Sequence, residues 1–191
     1  MSSQADVDTY KATIVVGNMK PASRTRDAGL AIAQACSRYF GIADPTIDVI
    51  ELGSLSSTLF GWGEPAVAAA KHQVLQSRLL IVASPVYKAS YTGLLKAFLD
   101  QFGRDELDAL ATVPVMVGAG PAHSLAVECQ LRPVLIEIGA CCPTRGLYIT
   151  EGEVADIERP VTEWLNVWGD ALRAVVSCRK SMATAPVPHG T

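Results

Sequence analysis

Strand-like apolar runs alternate with helix-like stretches five times along this chain of 191 residues. The apolar runs cover residues 13–17, 46–51, 79–84, 113–119 and, more weakly, 142–149. Valine, isoleucine and leucine fill the first, third and fourth runs almost continuously, whereas a strand with one face in water would alternate apolar and polar residues. We therefore predict a parallel sheet covered by helices on both faces, which is the doubly wound α/β architecture.

Five helix-like stretches separate and follow these runs. They cover residues 24–40, 66–76, 91–102, 122–138 and 157–178. Pro133 lies inside the fourth stretch and has no N–H to offer the carbonyl of Cys129. We expect either a simple proline kink or a π-bulge there, and π-bulges concentrate at functional sites.

The composition and the ends of the chain narrow the class of protein. The net charge is −3 with both signs spread along the sequence, so the basic stripe of a nucleic-acid-binding protein is missing. The first ten residues show no signal-peptide pattern, and no window approaches the roughly 20 apolar residues of a membrane span. We expect a cytoplasmic protein with one domain over residues 1–178 and a disordered tail at 179–191.

The five cysteines form neither a CxxC motif nor a Cys/His spacing typical of metal sites. They are Cys36, Cys129, Cys141, Cys142 and Cys178. In a reducing compartment we expect free thiols, most of them buried, and no metal site.

The loop after the first strand carries hydroxyl and cationic side chains where a ligand is expected. In a five-stranded sheet of order 2-1-3-4-5, ligands bind at the loops after strands one, three and four. This first loop (residues 17–25) contains Asn18, Lys20, Ser23, Arg24 and Thr25. Hydroxyl groups and cations at a helix N-terminus form a phosphate site. The alternative is that Ser23 only caps the helix while the cations are solvated.

The second loop (residues 84–93) follows the most hydrophobic strand. Its candidate residues are Pro85, Val86, Tyr87, Lys88, Ala89 and Ser90. Such a loop can present backbone N–H groups and an aromatic wall to a flat heterocycle, although an ordinary strand-to-helix turn is the alternative.

The third loop (residues 118–123) is rich in glycine and follows the fourth strand. Its candidate residues are Gly118, Ala119 and Gly120. His123 lies at the following helix start, and we expect it to be structural rather than catalytic.

Residues 84–102, SPVYKASYTGLLKAFLDQF, resemble the flavin-contacting segment of the NADPH-dependent FMN reductase family. The resemblance extends over about residues 14–148 and implies a flavodoxin-like fold of three layers with a five-stranded parallel sheet in the order 2-1-3-4-5. Residues 122–135, AHSLAVECQLRPVL, are similar to the branch that serves alkanesulfonate monooxygenases.

The resemblance implies a role for each loop. Ser23, Thr25 and Lys20 would bind the FMN phosphate, while backbone donors of residues 85–90, Gly118 and Gly120 would hold the edge of the flavin ring. No catalytic side chain is implied, because hydride passes directly between the two nucleotides. In the first loop Asn18 and Lys20 replace the serine and arginine of the family pattern. Lysine keeps the charge but loses the bidentate fork, which implies weaker phosphate binding.

By this resemblance the protein is an NAD(P)H:FMN oxidoreductase that supplies reduced flavin to a partner monooxygenase and forms a homodimer or homotetramer. The sequence leaves NADPH and NADH open. Cys129 takes the position of an inserted aromatic residue that forms a π-helix at the tetramer interface of the sulfonate-linked branch. We therefore expect altered oligomer packing or altered flavin retention.

Other functions are compatible with the same fold. An enzyme that keeps its FMN and reduces quinones, azo dyes or metal oxyanions is the nearest alternative. A flavodoxin-type electron carrier is disfavoured, because such carriers are usually strongly acidic for docking to redox partners. A binding role without flavin is a further alternative.

Overall fold

The computed structural model describes residues 10–178. The tail predicted to be disordered, residues 179–191, lies outside the described residues, as do residues 1–9. The single-domain assignment for residues 1–178 stays a prediction.

Five parallel strands form one sheet in the order β2-β1-β3-β4-β5, which confirms the predicted fold class. The strands are β1 (Lys11–Val16), β2 (Thr46–Glu51), β3 (Leu79–Pro85), β4 (Ala111–Gly118) and β5 (Leu147–Thr150). Ile14 of β1 aligns with Val49 of β2 and Ile81 of β3. Every residue of β4 is buried, which explains why that run is continuously apolar.

Helices cover both faces of the sheet. They are α1 (Arg24–Phe40), α2 (Pro65–Leu75), α3 (Gly93–Leu99), α4 (Arg132–Glu137) and α5 (Glu158–Cys178). The helices α1 and α5 pack on one face, and α2, α3 and α4 pack on the other. Each buried Val, Ile or Leu contributes roughly 1.5–3 kcal/mol, so these two layers hold the loops at the carboxyl edge in place.

Local signals in the sequence set the ends of the helices. Ser23 caps α1 by accepting a hydrogen bond from the N–H of Arg26, and Gly41, whose φ of 76° suits glycine, caps the other end directly after Phe40. Thr92 caps α3 by accepting from the N–H of Leu95. Ser90 lies in the preceding turn, where its backbone exchanges hydrogen bonds with Tyr87.

The predicted helix 122–138 is broken into three parts. A 3₁₀ turn at Pro121–His123 is followed by a π-helix at Val127–Leu131 and then by α4. The N–H of Arg132 donates to the carbonyl of Val127, five residues earlier, and Pro133 then lies in the first turn of α4, where a missing N–H costs little. The π-bulge interpretation of Pro133 is confirmed.

Two smaller expectations are corrected. The weak fifth run, 142–149, forms a strand only from Leu147, because residues 142–146 are held as a loop by side chains of the π-helix region. The cysteines are free thiols, but only Cys36 is buried, whereas Cys129 and Cys178 are exposed. Within residues 10–178 no helix is long and apolar enough to cross a membrane.

Candidate functional site

A cleft of about 380 Å³ opens at the carboxyl edge of the sheet, beside the ends of β1, β3, β4 and β5. Its lining residues are Asn18, Lys20, Pro21, Ala22, Ser23, Arg24, Thr25, Pro85, Tyr87, Val117 and Glu151. All five candidates of the first loop are therefore brought together, with Pro85 and Tyr87 of the second. The remaining candidates lie outside the lining, in the second and third loops. These are Val86, Lys88, Ala89, Ser90, Gly118, Ala119 and Gly120.

The first loop is organised by its own polar side chains. The Asn18 amide donates to the Thr25 hydroxyl at 3.4 Å, and the Asn18 side-chain oxygen accepts from the N–H of Lys20 at 3.0 Å. The Ser23 hydroxyl accepts from the Arg26 N–H at 3.3 Å. Ser23 thus performs the capping role and also lines the cleft, so the two interpretations of this residue are compatible.

Glu51, at the end of β2, supports the first loop from behind. Its carboxylate accepts from the N–H of Ala22 at 3.0 Å and lies 3.4 Å from the guanidinium of Arg26. Ala22 has a φ of 47°, which L side chains rarely adopt. The Glu51 hydrogen bond therefore stabilises a bent backbone at the cleft wall.

Thr92 connects the first loop to the second. Its hydroxyl donates to the carbonyl of Gly17 at 2.7 Å while it caps α3. A Cβ at Gly17 would lie 2.7 Å from the Cβ of Leu95, so the close approach of β1 to α3 requires glycine there. The two loops are consequently fixed relative to each other.

The second loop contains a tight turn. Tyr87 and Ser90 exchange backbone hydrogen bonds of 2.8 and 3.0 Å, and the residues between them, Lys88 and Ala89, have φ values of 51° and 63°. The Val86 N–H donates to the carbonyl of Val117. Within the described part of the chain, the N–H groups of Lys88 and Ala89 make no hydrogen bond to another backbone group. Non-glycine residues at positive φ concentrate at ligand sites, so this turn is a strained element beside the cleft.

The third loop is shaped by Tyr148 of β5. The Tyr148 hydroxyl donates to the carbonyl of Gly120 at 2.6 Å, and a Cβ at Gly118 would lie 2.0 Å from that hydroxyl. Burial raises the pKa of Tyr148, so it remains a protonated donor at neutral pH. Gly118 is therefore required by packing inside the chain, whereas space beside Gly120 is open. His123 is exposed in the 3₁₀ turn and outside the cleft lining.

Sequence reasoning missed Glu151, which follows the last residue of β5. The Arg24 Nη1 atom lies 2.6 Å from the Glu151 Oε2 atom, so an ion pair spans the cleft lining. The rule that ligand sites lie at the carboxyl ends of strands could have indicated this residue, but it was applied only to the loops after strands one, three and four. Glu51 and Tyr148 were missed as well, since only the folded chain brings them to the first and third loops.

A polar cluster ties the π-helix to the loop before β5. Glu128 accepts from the guanidinium of Arg132 and from the N–H of Gly146, at 2.6 Å for the latter. Arg132 donates to the carbonyls of Cys142 and Thr144. Burial alone would raise the pKa of Glu128, but the hydrogen bonds from Arg132 and Gly146 outweigh it, so this pKa lies below its ordinary value.

A sequence model described as NADPH-dependent FMN reductase matches residues 10–154. The NADH-dependent FMN reductase SfnF of Pseudomonas fluorescens is 38% identical over 147 residues, which cover 74% of this chain and 76% of that protein. FMN reductase (NADPH) of Escherichia coli is 38% identical over 92 residues, which cover only 48% of each chain.

Among solved structures, the apo form of an NADH:FMN oxidoreductase (EMOB) superposes with a TM-score of 0.75 at 29% identity. The superposition covers 91% of this chain and 93% of that one. The residues matched by the sequence model include all three loops at the carboxyl edge. The family predicted from residues 84–102 is confirmed.

Proposed function

This chain belongs to the NADPH-dependent FMN reductase family, and on that premise we propose that it binds FMN as a substrate, reduces it with NAD(P)H and releases it to a partner monooxygenase. The observation that carries this proposal is the cleft, which collects the candidate residues of the first loop and opens beside the strained turn of the second.

The donors of the first loop fit a phosphate group. Ser23 and Thr25 supply hydroxyls and Lys20 and Arg24 supply positive charge, all lining one cleft at the N-terminus of α1. Asn18 orients the Thr25 hydroxyl through its amide. We assign the phosphate of FMN to these five residues.

The second and third loops fit the edge of a flat ring. The N–H groups of Lys88 and Ala89, at the tip of the turn, are the donors we assign to the flavin, and Tyr87 with Pro85 forms the adjacent wall. Val86 and Ser90 hold the turn through their backbone. The open space beside Gly120 leaves room for the ring next to Gly118 and Ala119.

Hydride transfer from NAD(P)H to the flavin is chemistry that the two nucleotides supply. The chain binds them and orients their rings, so we assign no catalytic acid, base or nucleophile. The expectation of a cytoplasmic location fits this use of NAD(P)H and stays a prediction.

Two features support FMN as a substrate rather than a retained group. Lys20 takes the place of an arginine that would hold phosphate through two parallel hydrogen bonds, and Arg24 is already paired with Glu151. Both features favour a moderate affinity for FMN, which suits a flavin that is released. An enzyme that retains FMN and reduces quinones, azo dyes or metal oxyanions is the second candidate.

The partner and the assembly belong to the same proposal. The π-helix at Val127–Leu131 supports the likeness to the sulfonate-linked branch, and so favours a monooxygenase that consumes reduced flavin. Leu125 and Ile136, both exposed, flank Cys129 on this segment and support a homodimer or homotetramer formed through it.

The visible spectrum and the rate of NADPH and NADH oxidation, each with and without added FMN, test the proposal. We expect a nearly colourless protein whose turnover depends on added FMN, because a weakly held flavin is lost on purification. A yellow protein that reduces a quinone without added FMN would establish the second candidate instead. No oxidation of either nicotinamide, with FMN present or with a quinone, azo dye or metal oxyanion present, would refute both.

A further inference from the structure

We propose that Glu151 sets the affinity of this enzyme for FMN by competing with the flavin phosphate for the guanidinium of Arg24. The inference rests on the proposed function and deepens it, because it names the residue that makes the flavin releasable and the part of the flavin on which that residue acts.

The two side chains approach from opposite elements. Arg24 is the first residue of α1, and Glu151 directly follows β5. Their Nη1 and Oε2 atoms are 2.6 Å apart, both residues line the cleft, and the side chains are 63% and 49% exposed. Water and small anions can therefore reach the pair from the cleft.

Glu151 carries the opposite charge to the other charged residues of the cleft lining. Lys20 and Arg24 are the cations of the lining, and Glu151 is the only carboxylate among the lining residues. Lys20 has no ion-pair partner within residues 10–178. Glu151 thus neutralises one of the two cations that a phosphate would use.

The backbone of Glu151 is fixed, so competition takes place at the side chain. The Glu151 N–H donates to the carbonyl of Gly118 at 2.8 Å. The turn that follows is held by Glu153, whose carboxylate accepts from both the N–H and the hydroxyl of Thr150. These hydrogen bonds lower the pKa of Glu153, which keeps this support ionised at neutral pH.

An exposed ion pair contributes little to stability, so a phosphate can displace the carboxylate from Arg24. The displaced carboxylate stays tethered nearby and repels the phosphate, because its backbone cannot move away. Binding of the phosphate is thereby weakened. A flavin without a phosphate does not meet this repulsion.

The test measures the dissociation constants of FMN and riboflavin for the wild-type protein and for Glu151→Gln. We expect FMN to bind about fivefold more tightly to Glu151→Gln, as for the loss of one exposed charge interaction, and riboflavin to bind with unchanged affinity. Glu137→Gln is the matched control. Glu137 pairs with Arg104 at 3.8 Å on the exposed surface and lies outside the cleft lining, so neither affinity should change.

A second pair of variants tests whether Glu151 acts on FMN binding through the Arg24 guanidinium. In an Arg24→Gln background, Glu151→Gln should tighten FMN binding by a smaller factor than in the wild type, because the guanidinium for which the two anions compete is gone. Glu151→Ala removes the same charge and takes the place of Glu151→Gln if that variant does not fold.

Two results would overturn the inference while leaving the flavin reductase intact. One is unchanged or weaker FMN binding by Glu151→Gln, and the other is equal tightening of FMN and riboflavin. If the wild-type protein neither binds FMN nor oxidises NAD(P)H in its presence, the proposed function itself fails, and that failure is seen before any variant is measured.

Discussion

The two ends of the carboxyl edge are built by different means. At the first loop, some hydrogen bonds join residues that are close in sequence, such as Ser23 with Arg26 and Asn18 with Thr25. Glu51 and Thr92 add support to this loop from distant parts of the chain. At the third loop and the π-helix, the bonds join distant residues, such as Tyr148 with Gly120 and Glu128 with Gly146. The first end is an arrangement of donors at a helix N-terminus. The second end is a frame of hydrogen-bonded residues from the third loop, the π-helix region and the segment that leads into β5, and its members are Gly118, Gly120, Glu128, Arg132, Cys142, Thr144, Gly146 and Tyr148.

This difference predicts a division of labour. Changes at the first loop that keep the helix cap should alter FMN binding and leave stability nearly intact, because the donors lie at the N-terminus of a helix that is anchored elsewhere by its buried face. Changes in the frame should lower stability first. Variants at the two ends test this division.

Arg132→Met should cause the largest loss of stability. It removes donors from the carbonyls of Cys142 and Thr144 and leaves the partly buried carboxylate of Glu128 without its cation. We expect the free energy of unfolding to fall by about 2–3 kcal/mol, since each lost hydrogen bond to a charged group costs on the order of 1.5–3 kcal/mol and these groups retain some access to water. Urea denaturation measures the loss.

Arg104→Met is the matched control for Arg132→Met. Arg104 pairs with Glu137 on the exposed surface, so its replacement should change stability by no more than about 0.5 kcal/mol. Equal losses in the two variants would show that the frame contributes nothing beyond an ordinary surface ion pair.

The two glycines of the third loop should behave differently when changed to alanine. Gly118→Ala places a methyl group 2.0 Å from the Tyr148 hydroxyl and should cost about 1–2 kcal/mol of stability by overpacking. Gly120→Ala meets no atom within 4 Å and should leave stability unchanged while it weakens FMN binding. Thermal denaturation and FMN titration of both variants separate the effects. Loss of stability in Gly120→Ala would contradict the open space assigned to the ring.

These contrasts show which parts of the site were predictable from the sequence. The alternation of runs predicted a parallel sheet covered on both faces, because burial on both faces leaves a continuous apolar pattern that a one-sided strand lacks. The order of the strands was implied by the resemblance to the family and could not be read from the runs. The range of α1 was predicted correctly at residues 24–40, since a serine cap and a glycine after the helix are local signals.

The frame could not be predicted in the same way. Nothing in the local sequence around Tyr148 indicates that its ring fills the space beside Gly118, and nothing near Glu128 indicates Gly146 as a partner. Such pairings depend on the register of the sheet and on the path that the chain takes before β5 begins. Pro133 was an exception, because a proline inside a helical pattern is itself a signal of an irregular turn.

Ser23→Asp separates helix capping from phosphate binding at the first loop. Aspartate caps helices about as well as serine, so the stability should be retained. Its negative charge should weaken FMN binding by about tenfold, roughly 1.4 kcal/mol, and leave riboflavin binding unchanged. Ser23→Ala tests the capping role instead, because it removes the cap and should lower the free energy of unfolding by about 1 kcal/mol. If Ser23→Asp binds FMN as well as the wild type, the phosphate does not lie beside Ser23.

The smallest expected effect is the acid sensitivity of the frame. Hydrogen bonds from Arg132 and Gly146 hold the pKa of Glu128 below its unfolded value, so the ionised form is the one that stabilises the folded state. That contribution is complete above the unfolded pKa of about 4.3 and is lost as the pH falls through the lower folded pKa. The difference in stability between the wild type and Glu128→Gln should therefore be constant near neutral pH and shrink below about pH 4.3. Urea denaturation at several pH values measures it, with Glu137→Gln as the control for a surface carboxylate. A difference that stays constant to acid pH would show that Glu128 stabilises the frame through its shape rather than its charge.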